Sequence, residues 1–513
     1  MAEFPRLFTV SEAEALMPQL GVLLKRLQKA AGKARAHYEA DLRSVVKTSL
    51  TNGHSKPKKR RPIVREIEEI VRAVHLHGAV VKDLEMGLVD FPHQRGNQVV
   101  FLCWKLGEPS IRYWHELDRG FAERKPVAQP PNKAMADTVI DAFVRRYDKP
   151  THLAWAPGRV NLIGEHTDYN EGYVMPLAIN RYLMAAAKVN EEGLLRGFSS
   201  IDQNQPSLNQ IEHRMNDVPL EPPNDWSKYA LGVAKMLSKD GAQLSGLDFA
   251  VESSLPIGAG LSSSAAIEAV FALLWNEIDR LERSPTELAK LCQQAERDYV
   301  GLNCGIMDQL AVLASREGFA MLIDTRDLSL RFAPIPKSWL IVVADTGTPR
   351  ELTASAYNER VKACRKAAKA LKKKSLRNAS LDDLEKLEAE LLPFARHVIT
   401  ENDRVLAFAA ALQAGDSAQA GALMAESHRS LRDDYKVSSP ALDAMAEACW
   451  QAPGCIGARM TGAGFGGACV SLVEAAQLHD FITSAEKAYK KAMPHRPSLQ
   501  VCQSVGSAGI VEL

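Results

Sequence analysis

The chain has 513 residues, more than one hydrophobic core usually fills, so two or three domains are expected. A net charge of +1 at pH 7 gives no general argument for nucleic acid or for an acidic partner. The cysteines include no C-x-x-C pair, no apolar run approaches the roughly 20 residues that span a bilayer, and the N-terminus lacks the features of a secretory signal. These observations predict a cytoplasmic protein with reduced thiols and no membrane partner.

Residues 1–126 are predicted to form an accessory domain that is mainly helical and contains a β-hairpin. Leucines recur at helical spacing within 16–27, and branched residues repeat the pattern within 63–74, which indicates two helices paired as a helical hairpin. Two apolar runs, at 99–104 and 111–114, flank a Gly-Glu-Pro-Ser turn. They predict a β-hairpin against which the helices pack.

The segment between the two predicted helices, 51–62, is basic and rich in residues that break regular structure. It could contact phosphates, but a basic run without interleaved aromatic residues is weak evidence for nucleic acid. We therefore interpret it as an exposed loop, and no nucleic-acid partner is expected.

The accessory domain contains several residues that could be considered metal ligands, namely His75, His77, His93, His115 and Glu116. None of them shows a recognised ligand spacing, so no metal site is predicted there. Segments 83–92, 103–109 and 113–116 resemble a family of small bacterial domains of unknown function. That resemblance implies no chemistry.

A proline-rich linker is predicted at 127–135, as the boundary between the accessory domain and the rest of the chain. After it, Val139, Ile140, Phe143 and Val144 indicate one amphipathic helix. This helix leads into the segment that carries the argument for function.

Segment 156–173 is typical of a ligand site. It holds Arg159, Glu165, His166 and Asp168 between two apolar segments that are predicted strands. An arginine offers only donors, ionised carboxylates offer only acceptors, and a histidine can do either. This mixture suits a ligand with many hydroxyl groups. In the alternative interpretation, one of the two carboxylates forms an ion pair with Arg159.

Segment 255–269 follows a predicted strand, contains Gly-Ala-Gly-Leu-Ser-Ser-Ser and continues into an apolar helix. Glycines let a backbone approach an anion closely, and the free N–H groups at a helix N-terminus hold phosphate oxygens. The alternative is a capped helix after a flexible turn, but three consecutive serines favour anion binding. Segment 255–269 fits neither the Walker pattern nor the G-x-G-x-x-G pattern.

Four segments resemble known kinase motifs, in the order expected of the family. Segment 158–169 is similar to the galactokinase signature, and 255–266 is similar to the ATP-phosphate loop of the wider GHMP kinases. Segments 304–309 and 459–468 resemble the catalytic-aspartate segment and the third, glycine-rich GHMP motif. The glycine cluster 462–467 is predicted to form a strand-turn-strand or strand-turn-helix junction.

The resemblance covers about residues 136–513 and implies an α+β, two-lobed GHMP kinase fold. A ribosomal-protein-S5-domain-2-like N-terminal lobe is expected at 136–335, and a ferredoxin-like C-terminal lobe at 336–513. Segment 344–352 departs from the family pattern, because it lacks the usual Asn-Ser/Thr start and His-x-Leu.

Position by position, the resemblance implies the following site. The sugar would be bound or enclosed by Arg159, Glu165, His166, Asp168, Gly305, Asp308 and Tyr357. ATP would contact Trp226, Gly258, Ala259, Gly260, Leu261, Ser262, Ser263 and Ser264. Mg²⁺ would be held by Glu296 with Ser263 or Ser264.

Asp308 and Arg159 are the implied catalytic residues. Asp308 would accept the proton of the sugar hydroxyl, and the charge of Arg159 would keep that carboxylate ionised and steady the phosphoryl group. From the sequence alone, Asp308 could instead be a helix N-cap or make a structural hydrogen bond. Polar residues at 397, 402–404 and 427–429 lie on predicted helices, where core or surface roles are expected.

The expected activity is transfer of the γ-phosphoryl group of ATP to the C1 hydroxyl of α-D-galactose, in a monomer or weak homo-oligomer. One alternative is a kinase for a related sugar, N-acetylgalactosamine or L-arabinose. Another is a non-catalytic sensor that binds galactose and ATP and recruits a partner. Intact serines at 262–264, Glu296 and Asp308 favour catalysis.

Overall fold

The computed structural model describes residues 4, 6–8, 10–51, 62–95, 98–108, 111–126, 129–199, 210–256, 260–348 and 353–513. The chain folds as two compact units, Met1–Pro131 with Val511–Leu513, and Asn132–Ile510. Several predicted features lie outside the described residues. These are most of the basic segment 51–62, residues 127 and 128 of the linker, Gly258 and Ala259, and the end of segment 344–352.

The first unit contains two helices and a five-stranded antiparallel sheet. The helices are α1 (Val10–Thr51) and α2 (Pro62–Leu76). The strands lie side by side in chain order: β1 (Val80–Asp83), β2 (Leu88–Arg95), β3 (Gln98–Lys105), β4 (Tyr113–Glu116) and β5 (Lys125–Pro126). The predicted β-hairpin is the antiparallel pair β3–β4, so the sheet adds three strands to it.

Strand β2 was hard to predict because it contains Pro92, a residue that cannot donate a ladder hydrogen bond. In the fold, β1 begins at Val80, opposite Asp90, so Pro92 lies beyond the end of β1. On its other side Pro92 faces Phe101 of β3. The missing N–H therefore costs no pairing with β1.

One face of this sheet packs on the helices. Leu24 of α1 and Val64 of α2 are fully buried and belong to the same hydrophobic cluster as Val81, Phe91 and Trp104 of the sheet. Because side chains alternate along a strand, the intervening residues of the sheet point to its other face.

The second unit starts with α3 (Lys133–Val144), which begins inside the segment predicted as the linker. Its first part then contains the following elements: β6 (His152–Asn161), β7 (Tyr173–Val174), β8 (Pro176–Asn190), β9 (Leu194–Ser199), β10 (Gln210–Arg214), α4 (Ser227–Lys239), β11 (Gly246–Ser253), α5 (Ser263–Ile278), α6 (Pro285–Ala295), a π-helical turn (Glu296–Val300), α7 (Met307–Ala314), β12 (Phe319–Asp324) and β13 (Ser329–Pro334).

The second part of this unit contains β14 (Trp339–Asp345), α8 (Thr353–Ala370), α9 (Leu392–Ala414), α10 (Ser417–Asp433), α11 (Pro440–Trp450), β15 (Cys455–Met460), β16 (Ala468–Glu474), α12 (Leu478–Ala492), β17 (Ser498–Cys502) and β18 (Gly509–Glu512). Strands β15, β16, β14 and β17 form a four-stranded antiparallel sheet in that order. The glycine cluster 462–467 joins β15 to β16, so the strand-turn-strand prediction is confirmed.

A six-stranded sheet positions the candidate site. Its strand order is β10, β9, β11, β8, β6 and β18, and a smaller sheet is formed by β13, β12 and β7. Helix α5 follows β11 and packs in one core with α7, β6 and β8, through fully buried residues such as Ala156, Leu183, Phe271 and Leu310. The end of β6 and the N-termini of α5 and α7 therefore meet.

Among the described residues, none of the helices is both long enough and apolar enough to cross a membrane.

Candidate active site

The loop after β6 rests on helix α9, which holds it through two side chains. The backbone N–H of Gly164 donates to Oε1 of Glu401 at 3.0 Å, and the N–H of Tyr173 donates to Oδ1 of Asn402 at 2.8 Å. Gly164 has a φ of +99° and no room for a Cβ, which would lie 2.7 Å from the carbonyl oxygen of Tyr173. These contacts fix the backbone that presents the predicted ligand-binding residues.

Arg159 and Asp308 form a bidentate ion pair at the centre of the site. Nε of Arg159 donates to Oδ1 of Asp308 at 2.7 Å, and Nη2 donates to Oδ2 at 2.6 Å. The hydroxyl of Ser262 also donates to Oδ2, at 2.7 Å. An ionised carboxylate has about four acceptor positions, so one remains on Oδ1. Helix α7 is capped at Ile306 without a side-chain bond, which excludes the N-cap alternative for Asp308.

Glu165 is buried, and both of its carboxylate oxygens are already engaged. Oε1 accepts from the N–H of Gly462 at 2.8 Å, and Oε2 accepts from Nδ2 of Asn161 at 2.6 Å. Oε2 also pairs with the guanidinium of Arg459, which is fully buried. The ion-pair partner of Glu165 is thus Arg459 and not Arg159. This arrangement favours a role in shaping the pocket over direct contact with a ligand.

His166 belongs to an aromatic hydrogen-bonded chain. Its Nε2 lies 3.2 Å from the carbonyl oxygen of Ala463, which can only accept, so Nε2 carries the proton. The hydroxyl of Tyr169 therefore donates to Nδ1, at 2.8 Å, and lies 2.8 Å from the hydroxyl of Tyr435. Burial and the neighbouring His397 lower the pKa of His166 to about 3, so the ring stays neutral across the physiological pH range.

Asp168 lies against the backbone of Gly305. A Cβ on residue 305 would come within 1.8 Å of Oδ2 of Asp168, so only glycine allows this approach. Oδ1 accepts from the N–H of Tyr169 at 2.9 Å. Burial and the nearby charge of Asp308 raise the pKa of Asp168 to about 7. Asp168 is therefore a carboxylate with capacity left for a ligand.

The described part of the predicted phosphate loop leads directly into α5. Ser262 has a φ of +59°, and the helix begins at Ser263 without a side-chain cap. The hydroxyl of Ser262 instead donates to Asp308. The first N–H groups of α5 are thus not bonded by a capping side chain, and the positive end of the helix dipole favours an anion here.

A group of buried carboxylates lies behind this helix N-terminus. Glu296 accepts from Nε2 of Gln309 at 2.8 Å and from Sγ of Cys304 at 3.3 Å. Burial and the charge of Asp308 raise the pKa of Glu296, and they outweigh the opposite effect of Gln309, Cys304 and Ser264. Oε1 of the fully buried Glu268 has no partner. Such a group of oxygen atoms suits a hard divalent cation.

A cavity of about 400 Å³ connects these groups. Of the predicted site residues, its lining includes Arg159, Glu165, His166, Asp168, Gly260, Leu261, Ser262, Ser263, Ser264, Glu296, Gly305, Asp308 and Tyr357. Trp226 is not among the described residues that line it, since its ring packs edge-on against Phe249 at 5.9 Å. Lys228 and Tyr229 of α4 line the cavity instead.

Five residues that hold the site in place were absent from the predicted set: Asn161, Glu401, Asn402, Tyr435 and Arg459. Asn161 and Arg459 lie inside the recognised motifs, and an arginine or asparagine between apolar strand residues was a signal that could have identified them. Glu401, Asn402 and Tyr435 lie on or after helices in ordinary sequence surroundings. Only the fold brings them to the loop.

Four family models match the chain. The uncharacterized conserved protein family DUF2203 matches residues 6–127, and the galactokinase galactose-binding signature matches residues 141–189. The GHMP kinase N-terminal and C-terminal domains match residues 228–316 and 408–491.

Relatives of known identity cover about three quarters of the chain. The galactokinase of Chloroflexus aggregans is 43% identical over 383 residues, which are 73% of this chain and 96% of that protein. The galactokinase of Streptomyces coelicolor is 40% identical over 387 residues, 74% of this chain and 98% of that protein. The crystal structure of Lactococcus lactis galactokinase complexed with galactose aligns with a TM-score of 0.70 and 32% identity, covering 74% of this chain and all of that one.

Proposed function

The chain belongs to the galactokinase family, and we propose that its site transfers the γ-phosphoryl group of ATP to the C1 hydroxyl of α-D-galactose. The observation that carries this assignment is the Arg159–Asp308 pair beside the N-terminus of α5. A proton acceptor then lies next to a phosphate-binding helix end. Phosphoryl transfer requires little else than alignment of the two substrates and neutralisation of charge.

Asp308 accepts the proton from the C1 hydroxyl through the free position on Oδ1. Arg159 keeps Asp308 in place, and its position between Asp308 and the carbonyl of Gly260 also puts positive charge close to the phosphate loop. Asp168 accepts hydrogen bonds from other sugar hydroxyls. His166 and Tyr357, whose ring centroids are 5.5 Å apart, form an aromatic wall of the pocket.

The nucleotide phosphates bind at the first turn of α5, with Gly260 and Ser263 lining the approach. Mg²⁺ would be held by Glu296 and Ser264. Ser264 is preferred to Ser263 because it is the serine whose side chain lowers the pKa of Glu296. When bound, the ion offsets the charge that develops on the phosphate oxygens.

The proposed activity is tested by measuring ADP release with a panel of monosaccharides. Galactose is expected to give the highest kcat/KM, ahead of N-acetylgalactosamine and L-arabinose. Preference for another sugar would replace galactose as the substrate. If no sugar were turned over by a protein that still binds ATP, the result would support the alternative of a non-catalytic sensor.

The role of Asp168 predicts a pH-dependent affinity for galactose. Its pKa of about 7 means that the ionised, accepting form increases as the pH rises through that value. Galactose binding in the absence of nucleotide, measured by calorimetry, is therefore expected to become tighter as the pH is raised from about one unit below the pKa of Asp168 to about one unit above it. The Asp168→Asn variant should bind more weakly and without this pH dependence. An unchanged affinity in that variant would reject the contact.

Replacing Glu296 by Gln is expected to raise the Mg²⁺ concentration that gives half-maximal activity by more than ~10-fold, with little change in KM for galactose. The substitution removes the negative charge of a metal ligand, while the amide oxygen of the new Gln side chain can still accept the hydrogen bond from Gln309. Ser263→Ala is the matched control and should leave the Mg²⁺ requirement nearly unchanged if Ser264 is the second ligand. The reverse result, with Ser263 essential for Mg²⁺, would contradict that choice.

A further inference from the structure

The face of the accessory-unit sheet that points away from the helices carries an unusual set of buried residues. Asp90 of β2 lies directly opposite Cys103 of β3, and His115 of β4 lies opposite Phe101, two positions along the same face. Asp90 and Cys103 are fully buried and His115 is 1% exposed. Three side chains with metal-binding chemistry are thus placed together on three adjacent strands.

The ligand atoms of these side chains are close enough to share one ion. Sγ of Cys103, a nitrogen of His115 and an oxygen of Asp90 all lie within 4.8 Å of one another. Nε2 of His115 is 3.0 Å from Oδ2 of Asp90, and Nδ1 of His115 is oriented by a contact of 2.8 Å with the carbonyl oxygen of Glu116. Ligands of a tetrahedral zinc site are separated by about 3.5 Å, given bond lengths of about 2.0 to 2.3 Å.

The carboxylate of Asp90 has charged neighbours but no well-directed hydrogen bond. Despite the short distance to His115, neither oxygen of Asp90 accepts a hydrogen bond of acceptable geometry. A closed structural ion pair in a buried site would normally be hydrogen-bonded, because an unsatisfied buried carboxylate is costly. A cation bound between the three side chains would satisfy the Asp90 carboxylate.

Lys82 and a protonated His115 are the competing explanations, because either cation would balance the charge of Asp90. Its Nζ lies 3.5 Å from Oδ2 of Asp90 and 4.2 Å from the ring centroid of Phe101. The Lys82 side chain is 21% exposed, so its ammonium group can turn towards water while its stem stays packed. These cations would balance the charge of Asp90, but they leave the thiol of Cys103 beside the same carboxylate unexplained.

We propose that Asp90, Cys103 and His115 bind a zinc-class divalent transition metal that clamps three strands of the accessory unit. A thiolate, an imidazole and a carboxylate together select such an ion over Mg²⁺ or Ca²⁺. Within the parts of the chain that the structure describes, the group contains three such ligands, so a water molecule or an outside group takes the fourth position. The sequence did not predict the site because its ligands come together only through strand register.

The test is a titration of the full-length, chelator-treated protein with Co²⁺, followed by absorption spectroscopy. One equivalent of Co²⁺ is expected to give a thiolate-to-cobalt charge-transfer band, which Zn²⁺ abolishes and Mg²⁺ leaves unchanged. Cys103→Ala should lose the band and bind Co²⁺ more than ~10-fold more weakly, since loss of even an outer partner of a ligand has that cost.

Cys304→Ser is the control, because Cys304 lies in the second unit beside the carboxylate of Glu296 and outside the proposed metal site. This variant should keep the band. Lys82→Met provides a test that leaves all three ligands intact, and its removal of a competing charge should tighten Co²⁺ binding. No band in the folded wild-type protein, a band lost in Cys304→Ser, or unchanged or weaker binding in Lys82→Met would each overturn the proposal.

Discussion

Replacing Asp308 by Asn is expected to lower kcat by ~10²- to 10⁴-fold, the usual contribution of a general base, while ATP still binds. The amide keeps the size of the side chain but cannot take a proton from the C1 hydroxyl. It also leaves Arg159, whose side chain is 6% exposed, without its opposite charge. Steady-state kinetics and a nucleotide-binding titration give the two quantities.

The lost ion pair requires a control for folding, which is a comparison of thermal unfolding with the wild type. Ser262→Ala is the matched variant, because it removes one hydrogen bond to Asp308 but keeps the carboxylate. Its kcat should fall much less. A kcat close to normal in Asp308→Asn would reject the role of Asp308 as the base.

Replacing Arg459 by Met is expected to lower the free energy of unfolding of the second unit by ~3–5 kcal/mol. Arg459 is fully buried and pairs with the buried Glu165, so its removal leaves a carboxylate without its opposite charge. Chemical denaturation of the full-length protein, followed by a signal from the second unit, measures the change.

Arg432→Met is the matched control, since Arg432 forms an exposed ion pair with Asp433 whose loss should cost at most ~1 kcal/mol. The double variant Arg459→Met, Glu165→Gln should recover part of the stability, because it removes both buried charges. If Arg459→Met were no more destabilising than Arg432→Met, the Arg459–Glu165 pair would not stabilise the loop after β6.

The motifs made much of the site predictable from the sequence. The chemistry of Arg159, Asp168 and Asp308 could be argued from residue types, and the steric reason for glycine at 305 is the close approach of Asp168. The hydrogen bonds could not be predicted, because they depend on which elements meet. The hydrogen bond from the N–H of Gly164 to Glu401, for example, joins the loop after β6 to α9.

The accessory unit was less predictable for a different reason. Its helices have a clear apolar period, whereas β1 is only four residues long and β2 contains a proline. Short strands with mixed side chains give a weak alternation signal, so the hairpin stood out and the rest of the sheet did not. The same weak signal concealed the buried group on its second face.

The contacts of Glu165 can form only late in the synthesis of the protein. Gly462, which donates to its carboxylate, follows it by 297 positions in the chain, and Arg459 lies close to Gly462. Because a chain leaves the ribosome from its N-terminus, the loop after β6 emerges long before the turn between β15 and β16 that contacts it. A product of early termination would contain the whole signature segment and the phosphate loop, yet it would lack the partners that hold Glu165. The loop after β6 therefore gains its full set of contacts only near the end of synthesis.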